Sequence, residues 1–141
     1  MTIYFICTGN TCRSPMAQAI AEHLNHEYEL GHKIFSRGIA ADKGAAAAFS
    51  AIAAAEKHAL DLSAHIAAQL TDADIERADM LYTMTAQQRD ALTACFPHAE
   101  GKTQTIATQD IGDPFMQSDE VYMHTFSTLQ RAIADAEEFK P

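Results

Sequence analysis

With 141 residues, 48% of them hydrophobic, the chain has material for one compact core and too little for two. Ten Lys and Arg against nineteen Asp and Glu leave a formal net charge of −9, the wrong sign for tracking nucleic acid or an anionic membrane, so neither is an expected partner. Three cysteines is an odd count, no stretch resembles a cleavable signal, and the first apolar run is far too short to span a bilayer, which together point to free thiols in the cytoplasm.

In chain order, the β-branched and aromatic run TIYFI predicts a buried strand ending at Cys7. A helix should follow, with Ser14 as its N-cap, Pro15 at the first helical position, and Met16, Ala19, Ile20, His23 and Leu24 at helical spacing. HKIFS reads as a second strand. The alanine-rich stretch after it favours a helix from about Ala45 to His58, with Phe49, Ile52 and Leu60 as its apolar stripe. Thr71 with Asp74 has the layout of a capping box and opens a short helix through Arg77. DMLYTM is a third strand, Thr85 with Gln88 caps a helix running toward Cys95, and KTQTI is a fourth strand. After the polar turn ATQDIGDPF, Ser118 starts a terminal helix whose Val121, Tyr122, Phe126, Leu129, Ile133 and Ala136 share one face.

Strands alternating with helices predict a single α/β domain over 1–141, a doubly wound parallel four-stranded sheet flanked by helices. In such a sheet all strand C-terminal ends lie along one rim, so the loop after the first strand (Cys7 to Arg13) and the loop after the fourth (Asp110 to Phe115) can meet there.

The stretch CTGNTCRS, residues 7 to 14, carries the chemistry. A glycine-containing turn between strand and helix can aim successive backbone N–H groups inward, forming a concave anion site at the positive end of the helix dipole. The same environment favours a thiolate at Cys7. Arg13 can close the loop with a planar two-pronged donor to a tetrahedral oxyanion, a fork that lysine lacks. Thiolate attack on a bound phosphoryl group follows, with charge on the equatorial oxygens held by the loop and Arg13. The leaving group then needs a proton. Asp113, its backbone restrained by Pro114, is the candidate to supply it and later to activate water; Asp110 competes for the role, and Phe115 would wall the pocket. The seven histidines show no metal-ligand spacing, and neither a metal nor a cofactor is expected.

CTGNTCRSPMA resembles the phosphate-binding loop, C-x5-R-S, of the low-molecular-weight protein tyrosine phosphatases; DPF resembles their general-acid motif and ADMLYTMT their third strand. The resemblance implies a flavodoxin-like layout and a monomeric cytoplasmic phosphatase acting on phosphorylated proteins. It implies Cys7 as nucleophile, Arg13 as phosphate clamp and Asp113 as acid and base. Thr8, Gly9, Asn10, Thr11, Cys12, Arg13, Ser14 and Phe115 would bind phosphate or substrate. Ser14 would hydrogen-bond the thiolate, and Asn10 would hold the loop in a left-handed turn supported by Ser36 and His65.

Thr11 bears on substrate: tyrosine-specific members often carry a bulky apolar residue there, whereas bacterial members acting on phosphoarginine resemble this chain in having threonine. A small hydroxyl-bearing side chain suits a polar guanidinium, a larger apolar one a phenyl ring. The resemblance therefore implies a protein-arginine phosphatase, with a tyrosine phosphatase as the alternative. A thiol-dependent arsenate reductase shares the fold but needs paired redox cysteines after the third strand, where this chain has only Cys95. Cys12 is either a spectator or a protective disulfide partner for Cys7, as in resembling enzymes. Cys95 is expected to be buried or half-exposed. Arg37, in SRG where the family has SAG, has no assigned place, and the acids from Asp135 to Glu138 read as a solvated helix end.

Overall fold

The computed structural model describes residues 1–141. Four parallel strands, β1 (Thr2–Cys7), β2 (Lys33–Gly38), β3 (Met80–Thr83) and β4 (Thr103–Thr105), form one sheet in the order β2-β1-β3-β4. Five α-helices flank it: α1 (Arg13–Glu27), α2 (Phe49–Glu56), α3 (Asp72–Arg77), α4 (Ala86–Cys95) and α5 (Asp119–Asp135). No helix is long and apolar enough to cross a membrane.

The central strand β1 is apolar at every position from Ile3 to Cys7 because both of its faces are covered. Ile3, Phe5 and Cys7 face the layer of α1, α2 and α5, where Phe5 lies 5.9 Å from Tyr82 and 6.1 Å from Phe139, ring centre to ring centre. Tyr4 and Ile6 face the opposite side with Leu81, Ile75 and Leu92. Each such buried side chain contributes about 1.5–3 kcal/mol by leaving water. Both capping boxes form as the sequence suggests, Thr71 with Asp74 and Thr85 with Gln88, and Ser118 caps α5. The α5 stripe of Tyr122, Phe126, Leu129 and Ile133 is core.

Several expectations need correction. The predicted helix over Ala45–His58 is helical only over Phe49–Glu56. Residues 45 to 48 run extended because neighbouring segments claim their backbone groups: Ala67 N–H donates to Ala45 O (2.8 Å), and Ala48 N–H donates to Thr11 O (3.0 Å). Tertiary pairing outweighs alanine's helix propensity there. Phe49 is not part of an apolar stripe but 93% exposed; the buried face is Ala51, Ala54 and Ala55, small enough for α2 to lie close against α5. In α1, His23 is exposed and Ala17 and Ala21 complete the buried face. Ser14 does not cap α1, whose N-cap position is Cys12 with no side-chain bond. Cys95 is exposed, since it ends α4 on a turn facing solvent. The acidic end of the chain is not wholly solvated: Glu138 accepts a bond from the Tyr82 hydroxyl (2.7 Å).

Candidate active site

The rim formed by the C-terminal ends of β1 and β4 carries a pocket of about 230 Å³ lined by Cys7, Thr8, Gly9, Thr11, Cys12, Arg13, Asp42, Asp113 and Phe115. Its floor is the loop between β1 and α1. Every carbonyl from Cys7 to Cys12 is taken by the surrounding protein. Ile39, Ala40, Asp42, Ala48 and Met16 donate their N–H groups to Cys7, Thr8, Gly9, Thr11 and Cys12 respectively, at 3.0–3.2 Å. His65 Nε2–H takes the Asn10 carbonyl at 2.7 Å. The backbone N–H groups of Thr8 through Ser14, by contrast, donate to no acceptor in the protein. A loop with its carbonyls bonded outward and its N–H groups unspent, at the start of a 15-residue helix, is built to receive an anion.

Asn10 holds this shape. It is fully buried at φ 60°, in the left-handed region that asparagine tolerates better than most residues. Its Nδ2 donates to Ser14 Oγ (2.8 Å) and Ser36 Oγ (3.1 Å), and its Oδ1 accepts from Ala68 N–H (2.9 Å). Ser36 passes its own hydrogen to Gln18 Oε1 at 2.7 Å. Because Ser14 Oγ already accepts from Asn10, its hydrogen is free to point at Cys7 Sγ, 2.9 Å away. The Ser14 hydroxyl, one residue inside the start of α1, thus serves the sulfur and not the helix cap, a position held by Cys12. Burial pulls the His65 imidazole below its ordinary value, against the opposing pull of the Asn10 carbonyl, so His65 is a neutral donor held in place.

Arg13 is buried under the pocket. Its Nη1 donates to Ile111 O (2.9 Å), and its Nη2 lies 3.7 Å from Asp113 Oδ2, so one guanidinium ties the loop after β4 to the loop after β1. Asp113 is 55% exposed at the pocket and accepts Phe115 N–H on Oδ1 (3.0 Å). Asp110 does not reach this pocket; its carboxylate accepts Ala86 N–H at the start of α4 (2.9 Å), a structural task. Phe115, 59% exposed, stands at the mouth.

Cys12 lines the pocket with its sulfur 3.4 Å from the Tyr122 hydroxyl, and burial pushes its thiol above the ordinary value. Arg37 is absent from the pocket lining. It bonds Asp74 at 3.2 Å and lies over the Tyr4 and Phe35 rings, away from the rim. Burial would raise the Asp74 carboxyl, but bonds from Thr71 and Tyr4 and the Arg37 charge outweigh it and hold Asp74 below the ordinary carboxylate value. Cys95, ten residues along α4 from the rim, sits roughly 15 Å of helix rise from the site. No three His, Cys, Asp or Glu side chains are grouped so as to hold a metal ion.

Four contributors are invisible to motif reading. Gln88, assigned by its spacing to a cap, also donates to Thr8 Oγ1 (3.1 Å) and so braces the loop from α4. Gln69 clamps the segment after β2 by donating to Ile39 O (2.6 Å) and accepting Ala41 N–H (2.9 Å). Gly38 lets that segment approach the loop, since a Cβ there would stand 2.6 Å from Thr8 O. Asp42 lines the pocket itself.

A family model described as low molecular weight phosphotyrosine protein phosphatase matches residues 2–137. The chain is 33% identical, over 94% of its length and 90% of the relative, to a probable low molecular weight protein-tyrosine-phosphatase, EpsP, of Ralstonia solanacearum. It is also 33% identical, over 94% of its length and 92% of the relative, to the protein-arginine-phosphatase of Bacillus subtilis. Among solved structures, the YwlE arginine phosphatase from Geobacillus stearothermophilus is similar at a TM-score of 0.87 and 33% identity, over 94% of this chain and 87% of that one.

Proposed function

This chain belongs to the low molecular weight phosphotyrosine protein phosphatase family, and from that premise we propose that it is a protein-arginine phosphatase working through a phosphocysteine intermediate. The observation that carries the mechanism is the convergence of Cys7, Arg13 and Asp113 on one small pocket whose floor presents unspent N–H groups. The Cys7 thiolate, supported by the Ser14 hydroxyl, attacks phosphorus: the S–P bond forms as the P–N bond breaks, and the departing nitrogen keeps the electron pair. Asp113, as the acid, gives that nitrogen its proton. The N–H groups of Thr8 to Ser14 and the Arg13 fork hold the equatorial oxygens while charge spreads over them. Asp113, now a carboxylate, takes a proton from water as the water attacks phosphorus, which releases phosphate and restores the thiolate.

Thr11 supports phosphoarginine because it leaves the pocket wall small and hydroxylated, a surface for a guanidinium more than for a phenyl ring. One feature favours the second reading, phosphotyrosine: the Phe115 ring at the mouth offers an apolar wall to an aromatic side chain. The pocket is complete within one chain, which supports a monomer acting as one domain over residues 1–141, and a free thiol nucleophile suits the cytoplasm. An arsenate reductase is disfavoured by the exposed position of Cys95 at the far end of α4.

The test is phosphate release by the reduced protein from matched phosphoarginine and phosphotyrosine peptides, with Cys7→Ser as the blank. Turnover favouring phosphoarginine is expected, lost by about 10⁴-fold or more in Cys7→Ser. Thr11→Ile should move the preference toward phosphotyrosine by about tenfold. A wild-type preference for phosphotyrosine would overturn the arginine reading, and equal rates for wild type and Cys7→Ser the nucleophile.

A further inference from the structure

Asp42 has no part in the mechanism above, yet it stands in the wall of the pocket with Thr11, Phe115 and Asp113. Its carboxylate makes no hydrogen bond and no ion pair within the protein, and the adjacent Lys43 is likewise unpaired. Its backbone, in contrast, is fixed. Asp42 N–H donates to Gly9 O (3.1 Å), Ala45 N–H donates to Asp42 O (3.0 Å), and Gln69 pins the preceding turn. The position is therefore tied to the phosphate loop itself, and the side chain is left free to meet whatever enters.

Arg13 is the only cation lining this pocket, against the two carboxylates of Asp42 and Asp113. Arg13 is committed to the phosphoryl oxygens, and Asp113 to proton transfer at the leaving atom. Asp42 is then the one charged group facing the part of the substrate beyond phosphorus. Beside a phosphoryl dianion on an uncharged side chain, a carboxylate is a like charge and repels. Beside a phosphoryl group on a guanidinium, it is a counter-ion with the right geometry for N–H donors.

We infer that Asp42 is a specificity determinant, selecting substrates that carry positive charge next to the phosphoryl group and discriminating against neutral ones. This rests on the arginine-phosphatase reading for its natural substrate, though the selection for positive charge can be measured without it. Selection comes as much from repelling the wrong substrate as from attracting the right one. Thr11 and Asp42 then act by different physics: Thr11 sets the size and polarity of the wall, Asp42 its charge.

The experiment has two arms. In the first, the ratio of kcat/KM for phosphoarginine over phosphotyrosine peptides is measured for wild type, Asp42→Asn and Asp42→Lys. The ratio should fall about tenfold in Asp42→Asn and further in Asp42→Lys, with the loss weakening as salt is raised. In the second, inhibition by benzylphosphonate is compared with inhibition by 4-(aminomethyl)benzylphosphonate, which has the same anion with a cation added. Wild type should prefer the cationic compound several-fold, and Asp42→Asn should lose that preference. If wild type ignores phosphoarginine but keeps the charge-dependent inhibition, the substrate reading fails and the role of Asp42 stands. If Asp42→Asn leaves both ratios unchanged, or lowers both members of each pair alike, the inference is overturned.

Discussion

The two loops that build the pocket are held in opposite ways. The loop after β1 is over-determined, with Asn10, Cys12 and Arg13 buried: each carbonyl from Cys7 to Cys12 is bonded from outside, and Asn10, Ser14, Ser36 and His65 form a network beneath it. The loop after β4 is anchored at Ile111, through Met84 O (3.0 Å) and Arg13, and beyond that it bonds mainly to itself. Phe115 and Gln117 donate to Asp113 and Pro114, while Phe115 and Met116 stand exposed. A group that binds the same oxyanion geometry in every turnover gains from rigidity. A group that must deliver a proton to one atom and later remove one from another works better from a segment that adjusts.

This contrast predicts that damage in the two loops separates rate from stability. Asp113→Asn should lower kcat toward phosphoprotein substrates by about 10²–10³-fold. Its unfolding free energy should stay within about 0.5 kcal/mol of wild type, because the residue is exposed. The rate loss should shrink for p-nitrophenyl phosphate, whose leaving group departs without a proton. A loss equal for both substrates would mean that Asp113 positions the loop instead of transferring the proton.

Asn10→Ala should do the reverse in kind. It strips partners from the Ser14 and Ser36 hydroxyls and the Ala68 N–H, and it places alanine at a positive φ. Buried groups left unpaired cost about 1–3 kcal/mol each, partly recovered by relaxation, so a loss of about 2–4 kcal/mol is expected by urea denaturation. Asn10→Gly, which accepts the backbone angle but restores no bond, should recover only the conformational part. If Asn10→Gly is as stable as wild type, the network is dispensable and the comparison between the loops breaks.

The same contrast accounts for what was legible in the sequence. Strand composition, two capping boxes and the periodicity of α5 fixed the elements and their order, because each is a local signal. The meeting of Cys7, Arg13 and Asp113 at one pocket was legible because motif and rim topology converge on them. The partners of the loop were not: Gln88 reaches Thr8 across 80 residues of chain, and Asp42 meets the loop through its backbone, which no side-chain pattern records. The alanine segment misled for a related reason. Its helix propensity is real, but residues 45 to 48 are held extended by bonds to Ala67 and Thr11 that only the folded chain provides.

The smallest expected effect tests the outermost member of the rigid network. His65 donates Nε2–H to the Asn10 carbonyl, and burial holds its imidazole below the ordinary value of 6.5. As pH falls, the unfolded chain therefore takes up this proton before the folded one does, so stability present above the ordinary value is lost on acidification below it. Asp74, also held below its ordinary value of 3.8, adds the same sign of loss in a lower window and does not confuse the two. Urea midpoints followed from about pH 7.5 to about pH 5 should fall more steeply in wild type than in His65→Gln, whose side-chain amide can donate without titrating. Catalysis by His65→Gln should persist where that amide reaches Asn10, since the network needs a donor at this position and not a proton carrier. Equal slopes would remove His65 from the pH response.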